Sequence, residues 1–559
     1  MEFDAILLPP RRAAAIADGL WLGKTINDAL DEGLRECPDK TALIAVSDEA
    51  GETRRVSYRE LARLADRAAL GLARLGVGRG DVVAMQLPNG WPFTLTYLAC
   101  SRIGAVLNPL MPIFRARELG FMLKHGRAKI AIVPKRFRGF DHEAMLAGLR
   151  DSLPDLEHVI VVGGDFDQKL TEPRWEDEPG AAERLARDRP GPDDITQLIY
   201  TSGTTGEPKG VMHSANTLFS NIATYAERLR LDANDVVLMA SPMAHQTGFM
   251  YGLMMPIALR ATALLLDVWS PKRAVELIRA EGATFTMAST PFLTDLARAV
   301  EESGTPVPTL RTFLCAGAPI PGPLVEYARK ALGAKIVSAW GMTENGAVTL
   351  IHLDDDDERA FNTSGCPLPG VEIRAVEASG APTPAGVEGR LLVRSCSNFG
   401  GYLLRPQWNA TDAEGWFDTG DLAVIDSRGY VRITGRSKDV IIRGGENIPV
   451  VEVETLLYKH PAIAQVAIVA YPDARLGERA CAVVVLKPGQ TLTLAEMTAF
   501  LEARDMARQY WPERLLIRDQ MPATPSGKIQ KFRLREMVRE TPWPRSPIAA
   551  ASTNKRSLS

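Results

Sequence analysis

The chain has 559 residues, 46% of them hydrophobic and 24% charged, a balance that excludes a disordered chain and allows large buried cores. Its net charge of −3 is spread through the sequence, which excludes the concentrated basic face of a nucleic-acid binder. Six cysteines without C-x-x-C spacing exclude a disulfide framework or a cysteine zinc site and suit a reducing compartment.

The opening MEFDAILLPPRR has early acids and no long apolar stretch, so it does not read as a secretory signal. GLWLGKT (19–25) imitates a Walker A loop. It has three residues between its glycines where four are needed, no strand signal precedes it, and it reads as structural. YRELARLADRAALGLARLG (58–76) has helical spacing, ends in Gly76 and leads into the strand-like DVVAMQL (81–87). The rhythm returns at KIAIVP (129–134), HVIVVG (158–163) and DVVLMA (235–240). Alternating βαβ units of this kind predict parallel sheets covered by helices.

ITQLIY (195–200) predicts a strand, and the helix-like HSANTLFSNIATYAERL follows TSGTTGEPKG (201–210). Three glycines let that loop turn tightly, while Thr201, Ser202, Thr204, Thr205 and Lys209 supply donors and charge for an anion such as a triphosphate. The most apolar long stretch, 247–269, is broken by Pro256 and Arg260. No run reaches the roughly 18 clean apolar residues of a membrane span, so the stretch reads as a buried helix and core strand in a cytoplasmic protein. DDDDE (354–358) reads as a solvated loop rather than a metal site.

From about 370 to 434, short strands at VEIRAV, GRLLVRS and GYVRITG alternate with Gly/Pro turns and predict a small β-rich subdomain. The pattern resets after GRSKD (435–439). A helix at 450–460 and strands at AQVAIVAY and ACAVVVL then predict an α+β domain. The expected organisation is an N-terminal body at 1–436, a mobile C-terminal domain at 437–540 and a disordered Pro/Ser/Ala-rich tail at 541–559.

CAGAPIP (315–321), SAWGMTE (338–344), WFDTGDL (416–422), GYVRITGRSKDVIIRGGENI (429–448) and PATPSGKIQ (522–530) follow the 201–210 loop in order. Together these motifs resemble the adenylate-forming superfamily, which includes acyl-CoA synthetases, peptide-synthetase adenylation domains and luciferases. The resemblance implies an α/β fold of the adenylate-forming type. It also implies ATP, Mg²⁺ and coenzyme A, with an acyl-AMP intermediate and products acyl-CoA, AMP and pyrophosphate.

By the same resemblance, Thr201, Ser202, Gly203, Thr204, Thr205 and Lys209 hold phosphates. Gly317, Ala318 and Pro319 form a flat wall beside adenine. Trp340 offers the purine an aromatic face, flanked by Gly341 and Met342, while Thr343 contacts the α-phosphate. Glu344, with Thr204, holds Mg²⁺, for which one or two carboxylates suffice. Asp421 takes the ribose hydroxyls and Arg436 the ribose or phosphate. Lys528 bridges the acid carboxylate and α-phosphate, work of placement and charge neutralisation. Lys438 is the hinge of a rotating C-terminal domain, and Gly444, Gly445 and Glu446 border the CoA channel.

His245, Thr247, Gly248, Ala288, Gly317 and Gly341 are the expected acyl pocket. The wording MAHQTGF, DVIIRGGENI and ERACAVVVLKPG is similar to bacterial cyclohexanecarboxylate-CoA ligases and short-chain acyl-CoA synthetases. This makes cyclohexanecarboxylate the first expectation and other alicyclic or short-to-medium-chain acids the next. Linear-chain acyl-CoA synthesis, carrier-protein loading, luciferase-like oxygenation and nucleotide binding without turnover remain open alternatives. PATPSGK also fits the pattern on which bacterial acyl-CoA synthetases are acetylated, implying a lysine acetyltransferase acting on Lys528. Oligomeric state is not legible.

Overall fold

The computed structural model describes residues 3–541 apart from 202–207, 318–321, 438, 444–445, 474–475, 505 and 525–526. The chain divides into two compact units. One is essentially Met1–Ile433, and the other spans Thr434–Thr524 with the segment from Lys528.

The helix anticipated at 58–76 runs Tyr58–Arg74. The Ser57 side chain accepts from the Glu60 amide at its start, and Gly76 just past its end has φ 81°, the usual capping chemistry at each end. Twelve of its seventeen residues are buried, because it shares one continuous apolar core with Trp91–Arg102, Ala215–Arg228 and strands of both large sheets.

A seven-stranded sheet takes the order Gly401–Tyr402, Lys209–Ser214, Ile195–Thr201, Val106–Pro109, Val82–Met85, Ala128–Pro134, His158–Val162. A nine-stranded sheet takes the order Cys366–Pro367, Gly346–Leu350, Lys335–Met342, Thr312–Ala316, Phe285–Ala288, Val236–Met239, Thr262–Leu266, Thr41–Ser47, Glu52–Ser57. Both have parallel centres; the nine-stranded sheet is antiparallel at both edges, and the seven-stranded one is antiparallel at its Gly401–Tyr402 end but parallel at His158–Val162. The β-rich segment forms an antiparallel sheet of Val371–Val376, Glu388–Ser395, Phe417–Ile425 and Val431–Arg436.

Three segments differ in detail from expectation. The 201–210 loop does not lead directly into a helix. Lys209–Ser214 is a strand that returns antiparallel to Ile195–Thr201, pairing Lys209 with Thr201. The helix begins only at Ala215, capped by Ser214. Residues 247–269 become a π-helical turn Gly248–Met254, a helix Met255–Leu259 and a core strand Thr262–Leu266. The acidic run diverges to separate partners: Asp354 to Arg230, Asp355 to Arg359 and Tyr430, and Asp357 to Arg329. Asp356 caps the helix Asp357–Asn362.

GLWLGKT is structural: Trp21 is buried with its indole N–H on the Cys396 carbonyl, 2.9 Å away, and Thr25 caps the helix Ile26–Glu36. In the second unit, helices Val450–Leu457, Leu494–Glu502 and Lys531–Glu540 accompany a five-stranded sheet. That sheet is built on the antiparallel pair Ile463–Asp473 and Gly477–Leu486. Among the described residues no helix is long and apolar enough to cross a membrane.

Candidate active site

Four neighbouring parallel strands of the large sheet, Val236–Met239, Phe285–Ala288, Thr312–Ala316 and Lys335–Met342, end on one edge. In open α/β sheets, ligands bind beyond the carboxyl ends of such strands. Ala288 pairs with Cys315, Cys315 with Ser338, and Ala316 with Ala339. Gly317 and Trp340 follow one position further on, so three predicted residues are spread along this edge. Gly317 has φ 90°, a backbone conformation that favours glycine.

The tight turn between Lys335–Met342 and Gly346–Leu350 presents Thr343 and Glu344. A β-carbon on Gly341 would lie 2.0 Å from the Gly346 carbonyl oxygen, so this close approach itself demands glycine. Gly346 has φ 66°. The Met342 amide donates to Asn345 Oδ1 at 3.0 Å. The Thr343 carbonyl meets His213 Nε2 at 2.7 Å, and the Glu344 carbonyl accepts from the Phe399 amide at 2.7 Å. The Asn345 carbonyl accepts from Ser397 Oγ at 2.7 Å.

Beneath the turn, Tyr251 accepts from the Ala347 amide at 2.8 Å and donates to Asn221 Oδ1 at 2.6 Å. Burial pushes His213 down to about 4, against the opposing bond to Thr343 and with help from the Arg11 charge. The ring is therefore neutral at pH 7. Its contact with a carbonyl assigns the proton to Nε2, while Nδ1 meets Thr217 Oγ1 at 3.0 Å.

Glu344 is buried, and its Oε1 accepts from the Tyr402 hydroxyl at 2.7 Å. The Lys209 ammonium lies 4.5 Å from the Tyr402 ring centre and 5.5 Å from that of Trp408. Toward the β-rich subdomain, Trp340 Nε1 donates to Asp421 Oδ2 at 2.9 Å. Trp340 also packs on the apolar cluster of Val348, Leu391, Val393, Ala423 and Val431. Part of the face that the sequence offered to a purine is therefore taken up by the β-rich sheet, and the residue is left half-buried.

Around the expected acyl pocket, Asn89 orders the chain by donating to the Ser241 carbonyl at 2.9 Å and accepting from the Met243 amide at 2.7 Å. A β-carbon on Gly248 would lie 2.3 Å from the Pro242 carbonyl oxygen, so backbone packing requires this glycine as well. His245 and Thr247 are half-buried, and the Thr247 amide points to His245 Nδ1 at 3.4 Å. Between them, Gln246 is buried with both amide atoms unpaired.

In the second unit, the Arg436 carbonyl accepts from the Asp439 and Val440 amides, and Asp439 pairs with Arg535 at 2.8 Å. Lys528 is exposed on a small hairpin. Its carbonyl accepts from the Thr524 amide at 2.7 Å, and its amide donates to Thr524 Oγ1 at 3.0 Å. Ser202, Gly203, Thr204, Thr205, Ala318, Pro319, Lys438, Gly444, Gly445 and the Glu446 side chain lie outside the described residues.

Tyr402, His213, Asn221, Tyr251 and Ser397 were missed by sequence reasoning. Each is an ordinary strand, helix or loop residue whose role arises only from contacts distant in sequence. Among the described residues no cluster of three or more metal-ligating side chains exists. The lone Glu344 carboxylate suits a hard cation that takes its remaining oxygens from phosphate and water.

A sheet edge carrying Ala288 and Gly317, a clamped Thr-Glu turn and the Asp-anchored Trp340 make up the candidate site. Residues 30–403 match the AMP-binding enzyme family, and residues 452–528 match the AMP-binding enzyme C-terminal domain. The chain is 36% identical to the medium-chain fatty-acid–CoA ligase of Escherichia coli K12, over 94% of this chain and 93% of that one. It is 35% identical to a salicylyl-CoA synthase/salicylate adenylyltransferase of Streptomyces, over 93% and 95%. ATP-bound MatB from Rhodopseudomonas palustris superposes with a TM-score of 0.79 at 27% identity, over 92% and 99% of the two chains. The chain belongs to the AMP-binding enzyme family, and it is an AMP-forming acid–CoA ligase working through an acyl adenylate.

Proposed function

We propose that the acid is a short-to-medium-chain aliphatic or alicyclic carboxylate, with cyclohexanecarboxylate and octanoate the first two to compare. The observation that carries this reading is the near full-length similarity to a medium-chain fatty-acid–CoA ligase. The small residues Ala288, Gly317 and Gly341 at the sheet edge are compatible with it.

In the first half-reaction the acid carboxylate attacks the α-phosphorus of ATP and pyrophosphate leaves. Lys209 and the 201–210 loop hold the polyphosphate, while Gly317, Trp340 and Asp421 hold the nucleoside. Thr343 contacts the α-phosphate, and Lys528 offsets charge between the carboxylate and that phosphate. Mg²⁺, when bound, would sit on Glu344 and phosphate oxygens and neutralise charge there. In the second half-reaction the CoA thiol attacks the acyl carbonyl and AMP leaves. Lys438 acts as the hinge, and Gly444, Gly445 and Glu446 line the thiol's approach. A cytoplasmic location and acetylation of Lys528, which would remove its charge, belong to the same reading.

A second reading has one observation in its favour. The unpaired, buried Gln246 amide would suit an acid with a hydrogen-bonding substituent, and a salicylate-activating relative exists. AMP and pyrophosphate release across cyclohexanecarboxylate, benzoate, salicylate, butyrate, hexanoate and octanoate, with and without CoA, separates the two. Preference for the aliphatic and alicyclic acids with CoA-dependent AMP release is expected. Preference for salicylate would overturn the substrate assignment, and product formation indifferent to CoA would favour carrier-protein loading.

A further inference from the structure

Tyr402 occupies a two-residue edge strand, Gly401–Tyr402, that pairs with Lys209–Ser214. Tyr402 stands opposite Val211. Side chains two apart on a strand share a face, so Lys209 is its diagonal cross-strand neighbour. The Tyr402 ring is held edge-on to Phe399 with centroids 4.7 Å apart, and Ile199, Val211 and Phe417 complete the cluster. Its amide donates to Asn409 Oδ1 at 2.9 Å. Only 4% of the residue is exposed, so the ring has little freedom to reorient.

Both ends of this fixed ring meet charged groups. The hydroxyl donates to Glu344 Oε1 at 2.7 Å, and the ring lies beside the Lys209 ammonium. The Phe399–Tyr402 segment therefore grips Glu344 twice, through the Phe399 amide on its carbonyl and through Tyr402 on its carboxylate. A carboxylate torsion is intrinsically broad, and a charge-assisted bond from a locked phenol narrows it.

We propose that Tyr402 is a positioning residue for adenylation: its hydroxyl orients the Glu344 carboxylate toward the nucleotide-bound cation while its ring face sets the Lys209 ammonium. One side chain thus fixes the arrangement of an anionic and a cationic group around the polyphosphate. The proposal rests on the reading of Glu344 as the cation-binding carboxylate and Lys209 as a phosphate contact.

The test uses the full chain with Mn²⁺ as the probe. Its binding is followed by electron paramagnetic resonance in the presence of a non-hydrolysable ATP analogue, alongside metal-free analogue affinity. Groups that orient a metal ligand typically change metal affinity by roughly 10–100-fold when removed. Tyr402→Phe keeps the ring and is expected to weaken Mn²⁺ about tenfold while leaving metal-free analogue affinity unchanged. Tyr402→Leu additionally loses the ring contact, with a further roughly two- to fivefold loss of analogue affinity. In the Tyr402→Phe/Glu344→Gln double variant the Mn²⁺ losses should not add, as expected of two groups in direct contact.

If Glu344→Gln binds Mn²⁺ as the parent does, the cation reading of Glu344 falls and the proposal falls with it. If Glu344→Gln is weakened but Tyr402→Phe matches the parent, the positioning role alone is overturned. Full additivity in the double variant would also overturn it. Tyr402→Phe preserves the packed ring, so the test stands even where Tyr402→Leu does not fold.

Discussion

The turn carrying Thr343 and Glu344 and the hairpin carrying Lys528 are held in contrasting ways. In the first, three successive carbonyls are engaged by His213, Phe399 and Ser397, and the Glu344 carboxylate by Tyr402. Glu344 and Asn345 are buried. In the second, Lys528 is exposed, its backbone is bonded to Thr524, Ala523 bridges Ile529, and the Gln530 amide donates to the Pro522 carbonyl at 2.8 Å. Groups that stabilise developing charge work best when they need no rearrangement, which suits the buried turn. A residue required in only one of two half-reactions is better placed on a segment with little local stability to lose. The difference teaches that the turn in the first unit is held by contacts distant in sequence, whereas the backbone of Lys528 in the second is bonded to its own sequence neighbours.

The largest expected effect comes from the exposed lysine of this comparison. Lys528→Ala should lower the rate of acyl-AMP formation by about 100- to 1,000-fold, the usual scale for losing a charge-stabilising donor. This is read as acid-dependent pyrophosphate release without CoA. A loss below tenfold would mean the clamped turn carries adenylation alone.

The next effect probes the clamp itself. His213 titrates near 6.5 when unfolded and at about 4 when folded, chiefly through burial. Between those values the unfolded chain binds the extra proton, so its stabilising share is intact above pH 6.5. It declines as pH falls, by about 3 kcal/mol at pH 4. His213→Gln, which keeps an N–H for the Thr343 carbonyl, should flatten the pH dependence of denaturant midpoints over that window. An unchanged slope would show that His213 is not held neutral by its surroundings.

The smallest effect lies at the Trp340–Asp421 pair, the proposed nucleoside contact. Trp340→Phe keeps an aromatic face but removes the bond to Asp421, and a bond to a charged group contributes roughly 1.5 kcal/mol. KM for ATP should rise about tenfold, with kcat little changed. A fall in kcat at constant KM would instead assign the Trp340–Asp421 pair to the chemical step.

Much of this was legible in the chain. The βαβ rhythm survives as two parallel-centred sheets because buried strands and amphipathic helices differ in period. Glu344, Asp421 and Trp340 were singled out because the motifs around them, in their order along the chain, resemble those of the adenylate-forming superfamily. The strand Lys209–Ser214 was not anticipated, since its first two residues were read with the Gly/Thr-rich loop and the short run VMHS that follows fits either period. Gly248 and Gly341 were read as room for an acyl chain, whereas the backbone contacts at Pro242 and Gly346 that require them appear only in three dimensions. Tyr402 was invisible for the same reason: it lies 58 positions from Glu344 and 193 from Lys209 along the chain.

The most direct measurement supplies Lys528→Ala with purified acyl-AMP and follows CoA-dependent thioester formation beside the parent enzyme. The account predicts a thioester rate within about threefold of the parent, a difference under 1 kcal/mol, despite the lost adenylation. Equal loss of both half-reactions would contradict the division of labour between the clamped turn and the exposed lysine.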